Sequence, residues 1–267
     1  MSLTNKPVLD AQNISVVFGG LVAVNDVSFA IPEGSIVSLI GPNGAGKTTF
    51  FNVLTGLYQP TSGQVIFDDK DITGLSPNKI AAGGVARTFQ NIRLFGMMTA
   101  QENVMVAMHS HMKAGVFATT FKTKKQRQEE SEARDFAQEL LDFVGVGETT
   151  HEYARNLSYG DQRRLEVARA LALRPKVLLL DEPTAGMNPN ESAQFVEFVH
   201  RLRSERAVSI LLIEHDMSVV MQVSERITVL DQGEKIAEGS PTEIKNNPRV
   251  IEAYLGKSGS EASQNVN

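Results

Sequence analysis

The sequence predicts an α/β fold organised around a parallel sheet, and three observations carry that prediction. Residues 41–48 read Gly41-Pro42-Asn43-Gly44-Ala45-Gly46-Lys47-Thr48, a complete match to the glycine-loop pattern G-x-x-x-x-G-K-[ST]. The apolar run Ser35 to Ile40 precedes the loop and a stretch without a breaker until Gly56 follows it, which is the strand-loop-helix context the pattern requires. Beyond Val177, apolar strands and helices alternate, which implies parallel strands with ligands at their carboxyl ends.

The remaining elements follow in chain order. Val8 to Ile31 alternates in strand fashion, with Gly19-Gly20 as a hairpin turn, so an antiparallel β subdomain is expected at the N-terminus. A β segment, Gln64 to Phe67, leads toward Arg87-Thr88-Phe89. From about Ala100 to Gly145 the pattern is helical. Within it, Lys122 to Glu130 is a basic block followed by an acidic one, which reads as a solvated helix face or, alternatively, as a peripheral contact with lipid headgroups or a partner. Val177 to Leu180 is a strand, and Asn190 to Ser204 a helix with Phe195, Phe198, Val199 and Leu202 on one side. Val208 to Ile213 is a strand, a helix runs to about Val223, and Ile227 to Leu230 is a strand again. The helical block therefore reads as an insertion, about 100–164, between core segments 7–99 and 165–256 of one domain. Residues 1–6 and 257–267 are polar and read as disordered tails.

Composition narrows the function classes. A hydrophobic content of 42% over 267 residues supports a substantial core, and a net charge of −5 offers no broad basic face for nucleic acid. The absence of cysteine excludes disulfides, thiolate zinc sites and cysteine nucleophiles. No signal-peptide pattern opens the chain, and no uncharged apolar run approaches bilayer length, so a membrane role would act through a partner.

Two clusters carry chemistry. In the glycine loop the backbone can wrap phosphate oxygens, with helix-start amides facing the anion. Lys47 can reach the β and γ phosphates, and the Thr48 hydroxyl can sit on Mg²⁺, so the loop points to a nucleoside triphosphate. The apolar strand Val177 to Leu180 ends in Asp181-Glu182-Pro183, where Asp181 suits Mg²⁺ and Glu182 suits a general base for the attacking water. His215 follows another strand end and faces the same rim, where an imidazole can hydrogen-bond a phosphate or water. His109, His111, His151 and His200 have no such placement. Residues 157–162 read as a helix start, with Ser158 as cap and Gly160 allowing close backbone approach, and a helix N-terminus is itself an anion site.

These pieces, in this order from Val8 to Leu255, resemble the ATP-binding subunits of ATP-binding-cassette transporters. The resemblance implies a P-loop NTPase domain that binds ATP and Mg²⁺ through Gly41, Pro42, Asn43, Gly44, Ala45, Gly46, Lys47, Thr48 and Thr49. Phe18 would stack on adenine, against the alternative of a core phenylalanine. Gln90 would contact Mg²⁺, held also by Thr48 and Asp181, and would sense a membrane partner. Catalysis would rest on Glu182, His215 and Lys47. Leu157-Ser158-Tyr159-Gly160-Asp161-Gln162 is similar to the family signature LSGGQ, which covers the ATP of a second subunit paired head to tail. Tyr159 and Asp161 depart from that signature, and Asn188 departs from the aspartate usual in the loop after the acid pair.

The strings Tyr159 to Glu166, Arg87 to Gln90, Arg93-Leu94-Phe95 and Asn247 to Gly256 are similar to the larger ATP-binding subunits of branched-chain amino acid importers. Similar strings occur in ATPases for urea and short-chain amide uptake and for lipopolysaccharide export. The implied partners are integral-membrane permease subunits, a second cassette ATPase (a copy or a paralogue) and, indirectly, a periplasmic or extracellular binding protein, with no nucleic acid. The implied place is the cytoplasmic face of the membrane, as a peripheral subunit. Arg93 to Met98 is the natural permease contact, or else ordinary core. A soluble cassette ATPase of translation or DNA repair would carry two cassettes or long insertions. A non-catalytic ATP binder would not need the intact Asp181-Glu182 and His215.

Overall fold

Alternating apolar and polar side chains fold the first residues into a long hairpin, β1 (Pro7–Phe18) against β2 (Leu21–Pro32), with one face buried. The turn falls at Gly19-Gly20, both at positive φ, as the sequence predicts. Next come β3 (Ile36–Ile40) and α1 (Lys47–Leu54), which ends short of the expected breaker because Gly56 takes φ +71°. Strands β4 (Ser62–Phe67) and β5 (Lys70–Asp71) complete an antiparallel sheet in the order β2-β1-β4-β5.

The computed structural model describes residues 6–108 and 124–255. Both expected tails and the first residues of the 122–130 block lie outside them, apart from Lys6. The chain divides into two units, one of residues 1–80 with 176–267 and the other of residues 81–175. After α2 (Pro77–Gly83), the second unit contains β6 (Val85–Arg87), α3 (Ala100–Met108), α4 (Lys124–Val144) and α5 (Tyr159–Leu171). Helices α3, α4 and α5 pack on one another around Val104, Ala137, Leu140, Leu141 and Leu165.

The first unit resumes with β7 (Val177–Asp181), α6 (Pro189–Arg206), β8 (Ser209–Ile213), α7 (Met217–Val223) and β9 (Arg226–Asp231). Its sheet runs β9-β3-β8-β7 in parallel register, and β3, β7 and β8 are buried along their whole length. Continuous burial explains why these strands read as apolar runs without alternation. Besides β5 and α2, the elements unread in the sequence are β10 (Glu234–Gly239), antiparallel to β9, and the short helices α8 (Pro241–Lys245) and α9 (Pro248–Leu255). Among the described residues no helix is long and apolar enough to cross a membrane.

Candidate nucleotide site

The glycine loop leaves the carboxyl end of β3, in the middle of the parallel sheet. Its shape is imposed from outside. A Cβ on Gly41 would lie 2.1 Å from the Leu230 carbonyl oxygen, and one on Gly46, at φ +94°, would lie 2.5 Å from that of Ala23. No side chain fits at either place. Gly233, in the β9–β10 turn, donates its N–H to the Ala45 carbonyl at 3.1 Å and accepts from the Asn25 N–H at 2.8 Å. The cradle is thus held between β2 and the β9–β10 turn.

At the start of α1 the N-cap is Gly46, which supplies no side-chain cap. The first-turn amides of a helix lack internal acceptors and carry the positive end of its dipole. An uncapped helix start under a glycine curl fits a phosphate group. Lys47 Nζ donates to the Gly41 and Pro42 carbonyls at 2.7 and 2.9 Å. Burial lowers its pKa and the charge of Glu182 opposes that, so the loop lysine and Glu182 share one electrostatic site.

The acid pair sits at the end of β7, where Asp181, 6% exposed, pairs in register with Ile213. Glu182 donates its N–H to the Ile213 carbonyl at 2.9 Å and takes φ +45°, a left-handed conformation costing about 1–3 kcal/mol for a non-glycine residue. Its carboxylate approaches His215 Nδ1 at 3.8 Å. The structure therefore gathers the glycine loop, Lys47, Asp181, Glu182 and His215 at the carboxyl rim of one parallel sheet. Thr48, on the exposed first turn, and Asp181 offer hard oxygen donors. That set fits Mg²⁺, which takes one or two protein oxygens plus phosphate oxygens. No cluster of three or more His, Cys, Asp or Glu suited to a metal occurs among the described residues, and Mg²⁺ of this kind does not need one.

Sequence reasoning missed Glu214, although an acid closing an apolar strand signals a buried carboxylate needing partners. It is 1% exposed and accepts four hydrogen bonds. One oxygen takes the Thr184 N–H and hydroxyl at 2.9 and 2.5 Å, and the other takes the His215 and Asp216 N–H groups at 2.9 and 3.2 Å. This single carboxylate joins the loop after Glu182 to the backbone of His215.

Phe18 is 46% exposed at the end of β1 and meets Tyr58 edge-to-face at 5.4 Å, so it is not a core residue. Helix α9 reaches the glycine loop: Pro42, Asn43 and Gly44 share with Arg249 and Glu252 a cavity of about 500 Å³. The departure at Asn188 has a local reason, for its side chain caps α6 and closes a capping box with Glu191.

The other predicted residues belong to the second unit. Gln90 is exposed after β6. Ser158 caps α5, accepting the Asp161 N–H at 3.1 Å while its hydroxyl donates to the Asp161 carboxylate at 2.7 Å. Gln162 donates its side-chain amide to the Leu157 carbonyl at 3.0 Å, and Tyr159 is exposed beside Gly160. Phe95, Met97 and Met98 are exposed, which removes the core reading of that segment.

A family model described as ABC transporter matches residues 24–185, and one described as branched-chain amino acid ATP-binding cassette transporter matches residues 234–259. The chain is 49% identical, over 95% of its length and 99% of the relative's, to the high-affinity branched-chain amino acid transport ATP-binding protein BraF of Pseudomonas aeruginosa. The solved ADP conformation of an ATP-binding cassette of an ABC transporter superposes with a TM-score of 0.81 at 31% identity, covering 94% of this chain and 99% of that one. A dimeric, post-hydrolysis cassette bound to ADP and phosphate gives a TM-score of 0.73 at 26% identity, covering 87% and 98%. With its phosphate loop, acid pair and signature helix in the order that the motifs demand, the chain belongs to the ABC transporter family, among its ATP-binding subunits.

Proposed function

We propose that this chain is the ATP-hydrolysing subunit of a membrane importer for branched-chain amino acids. The observation that carries the chemistry is the convergence of Lys47, Asp181, Glu182 and His215 on one sheet rim, with Glu182 held in a strained conformation beside His215. The substrate class rests on the names of the relatives and on the match of residues 234–259.

In the mechanism, the α1 amides and Lys47 bind the β and γ phosphates of ATP and draw off charge developing on them. Thr48 and Asp181 would hold Mg²⁺, which when bound neutralises phosphate charge, and Gln90 would answer to the membrane partner. Glu182 accepts the proton of the attacking water, and His215 orients that water. Phe18 stacks on adenine, its far side closed by Tyr58. Two subunits, this chain with a copy or a paralogue, pair head to tail, as the dimeric cassette supports. Ser158 and Gly160 at the α5 N-terminus then meet the γ-phosphate held by the second subunit, Asp161 releasing the Ser158 hydroxyl as they do so. Because ATP binds the closed pair more tightly than the open one, binding drives closure. The exposed Phe95, Met97 and Met98 dock a permease helix, as adaptable apolar side chains suit. The subunit works at the cytoplasmic face of the membrane, with an external binding protein delivering the substrate.

Lys47→Ala should weaken ATP binding about 10- to 150-fold, the worth of losing charge-assisted hydrogen bonds of roughly 1.5–3 kcal/mol. Equilibrium titration with a fluorescent ATP analogue checks this, and unchanged affinity would remove the cradle. The transporter reading is tested by purifying a tagged copy from gently solubilised native membranes. Recovery of two hydrophobic permease chains and a second cassette ATPase is expected. Recovery of lipopolysaccharide-bridge proteins would redirect the function to export, and recovery of ribosomes would end the transporter reading.

A further inference from the structure

Arg163 and Glu166 on α5 form a charged pair, 6% and 5% exposed and 3.4 Å apart, that the nucleotide chemistry does not use. Burying two ions costs several kcal/mol each, and an apolar pair of the same volume would serve packing at least as well. What the pair holds is the backbone of Phe89 and Gln90. Arg163 Nη1 donates to the Phe89 carbonyl at 2.7 Å, Nη2 donates to the Gln90 carbonyl, and Glu166 accepts the Phe89 N–H at 3.3 Å. From its other side Nη2 donates to the Tyr159 hydroxyl at 3.0 Å, with the guanidinium 5.4 Å from the ring centre. Arg163 Nε, fully buried, has no hydrogen-bond partner. The guanidinium groups of Arg87 and Arg93 lie over the Phe89 ring, 4.7 and 4.4 Å from its centre. Burial pushes the Glu166 carboxyl above its usual range, and the Phe89 N–H and Arg163 oppose the shift.

We propose that Arg163 is a positioning residue coupling the start of α5 to the Gln90 segment. Its planar fork spans Tyr159 on one side and two successive carbonyls on the other, a geometry that a lysine ammonium cannot reproduce. When Tyr159 shifts as the α5 N-terminus engages a phosphate, the guanidinium carries the Phe89–Gln90 backbone with it. Glu166 keeps the buried cation neutralised and grips the same peptide from its N–H. This coupling rests on the roles proposed above for the α5 N-terminus, where Ser158 and Gly160 meet phosphate, and for Gln90.

The test uses the assembled transporter in proteoliposomes, comparing ATP hydrolysis with and without leucine-loaded binding protein. Two variants separate coupling from packing: Arg163→Lys, and the apolar double variant Arg163→Met with Glu166→Leu. Both should keep the ATP KM within about threefold, because the phosphate loop is untouched. Both should lose the leucine-dependent rise in kcat by at least about fivefold, the low end of a coupling between sites. A folded variant of either kind with parental stimulation overturns the proposal. Loss of the thermal transition in both assigns the pair a purely structural role and also overturns it. Gln90→Ala is the separate control: if it leaves stimulation unchanged, the reading of Gln90 itself fails, whatever the Arg163 variants do.

Discussion

Glu182→Gln is expected to bind ATP as the parent does, hydrolyse it about 10²- to 10⁴-fold more slowly, and accumulate as a closed dimer. The rate factor is that of a positioned general base. Glutamine matches glutamate in size and keeps the backbone bond from residue 182 to the Ile213 carbonyl, so the positive φ at the end of β7 survives. What disappears is the only proton acceptor that this position contributes. His215, with Nδ1 at 3.8 Å from the Glu182 carboxylate, would keep its proposed role toward water but cannot replace the carboxylate's charge. In the proposed cycle hydrolysis reopens the pair, so a binding-competent and hydrolysis-deficient subunit should stay shut. Phosphate release and dimer mass in MgATP measure the two effects, and a parental rate of phosphate release would strip Glu182 of the role.

The second large effect belongs to a residue that touches no phosphate. Glu214→Ala should lower stability by about 3–5 kcal/mol, since it strands four donors around a carboxylate that is 1% exposed, at roughly 1–3 kcal/mol for each unsatisfied group before relaxation. For a chain of this size that corresponds to a fall in Tm on the order of 10 °C. Glu214→Gln, with one acceptor oxygen, should fall between, and its surviving activity is the informative quantity. The Glu214 carboxylate fixes both the backbone of His215 and the loop after Glu182, so the Gln variant should lose kcat while holding its ATP affinity. Calorimetry and steady-state kinetics read these out. A Tm within about 2 °C of the parent for the Ala variant would show that the network bears no weight.

The fold and the site were legible to different depths. Residues 41–48 and 177–182 announced themselves because their chemistry is local: each motif carries its strand, its turn and its reactive group in one unbroken stretch. The hairpin at Gly19-Gly20 was legible for the same reason. Glu214 was not, since its partner Thr184 lies 30 residues away and is joined to it only by the neighbouring parallel strands. Nor was the Arg163 clamp, whose acceptors lie 73 and 74 residues upstream. Nor was the Phe18–Tyr58 contact, whose partners lie on separate segments. Asn188 is the instructive miss. Read against a motif it was a departure, yet Asn188-Pro189-Asn190-Glu191 also spells a helix start with cap, proline and box glutamate, and that is how it folds. The same pattern at Ser240-Pro241-Thr242-Glu243 marks α8, equally visible and equally unread.

The bracing of the phosphate loop has a consequence for how the protein is made. The loop's sequence is complete at Thr48, but its walls come from Ala23 and from Leu230 and Gly233, the latter two more than 180 residues later. A growing chain emerging from the ribosome therefore carries the nucleotide motif for most of its synthesis without the cradle that shapes it. At about 5–20 residues per second that interval lasts on the order of ten seconds or more. During it the central strand β3 still lacks its neighbours β8 and β9. Nucleotide capture then marks the arrival of β9 and its turn, so ATP acts on the newborn chain as a ligand that rewards completion before it is ever a fuel.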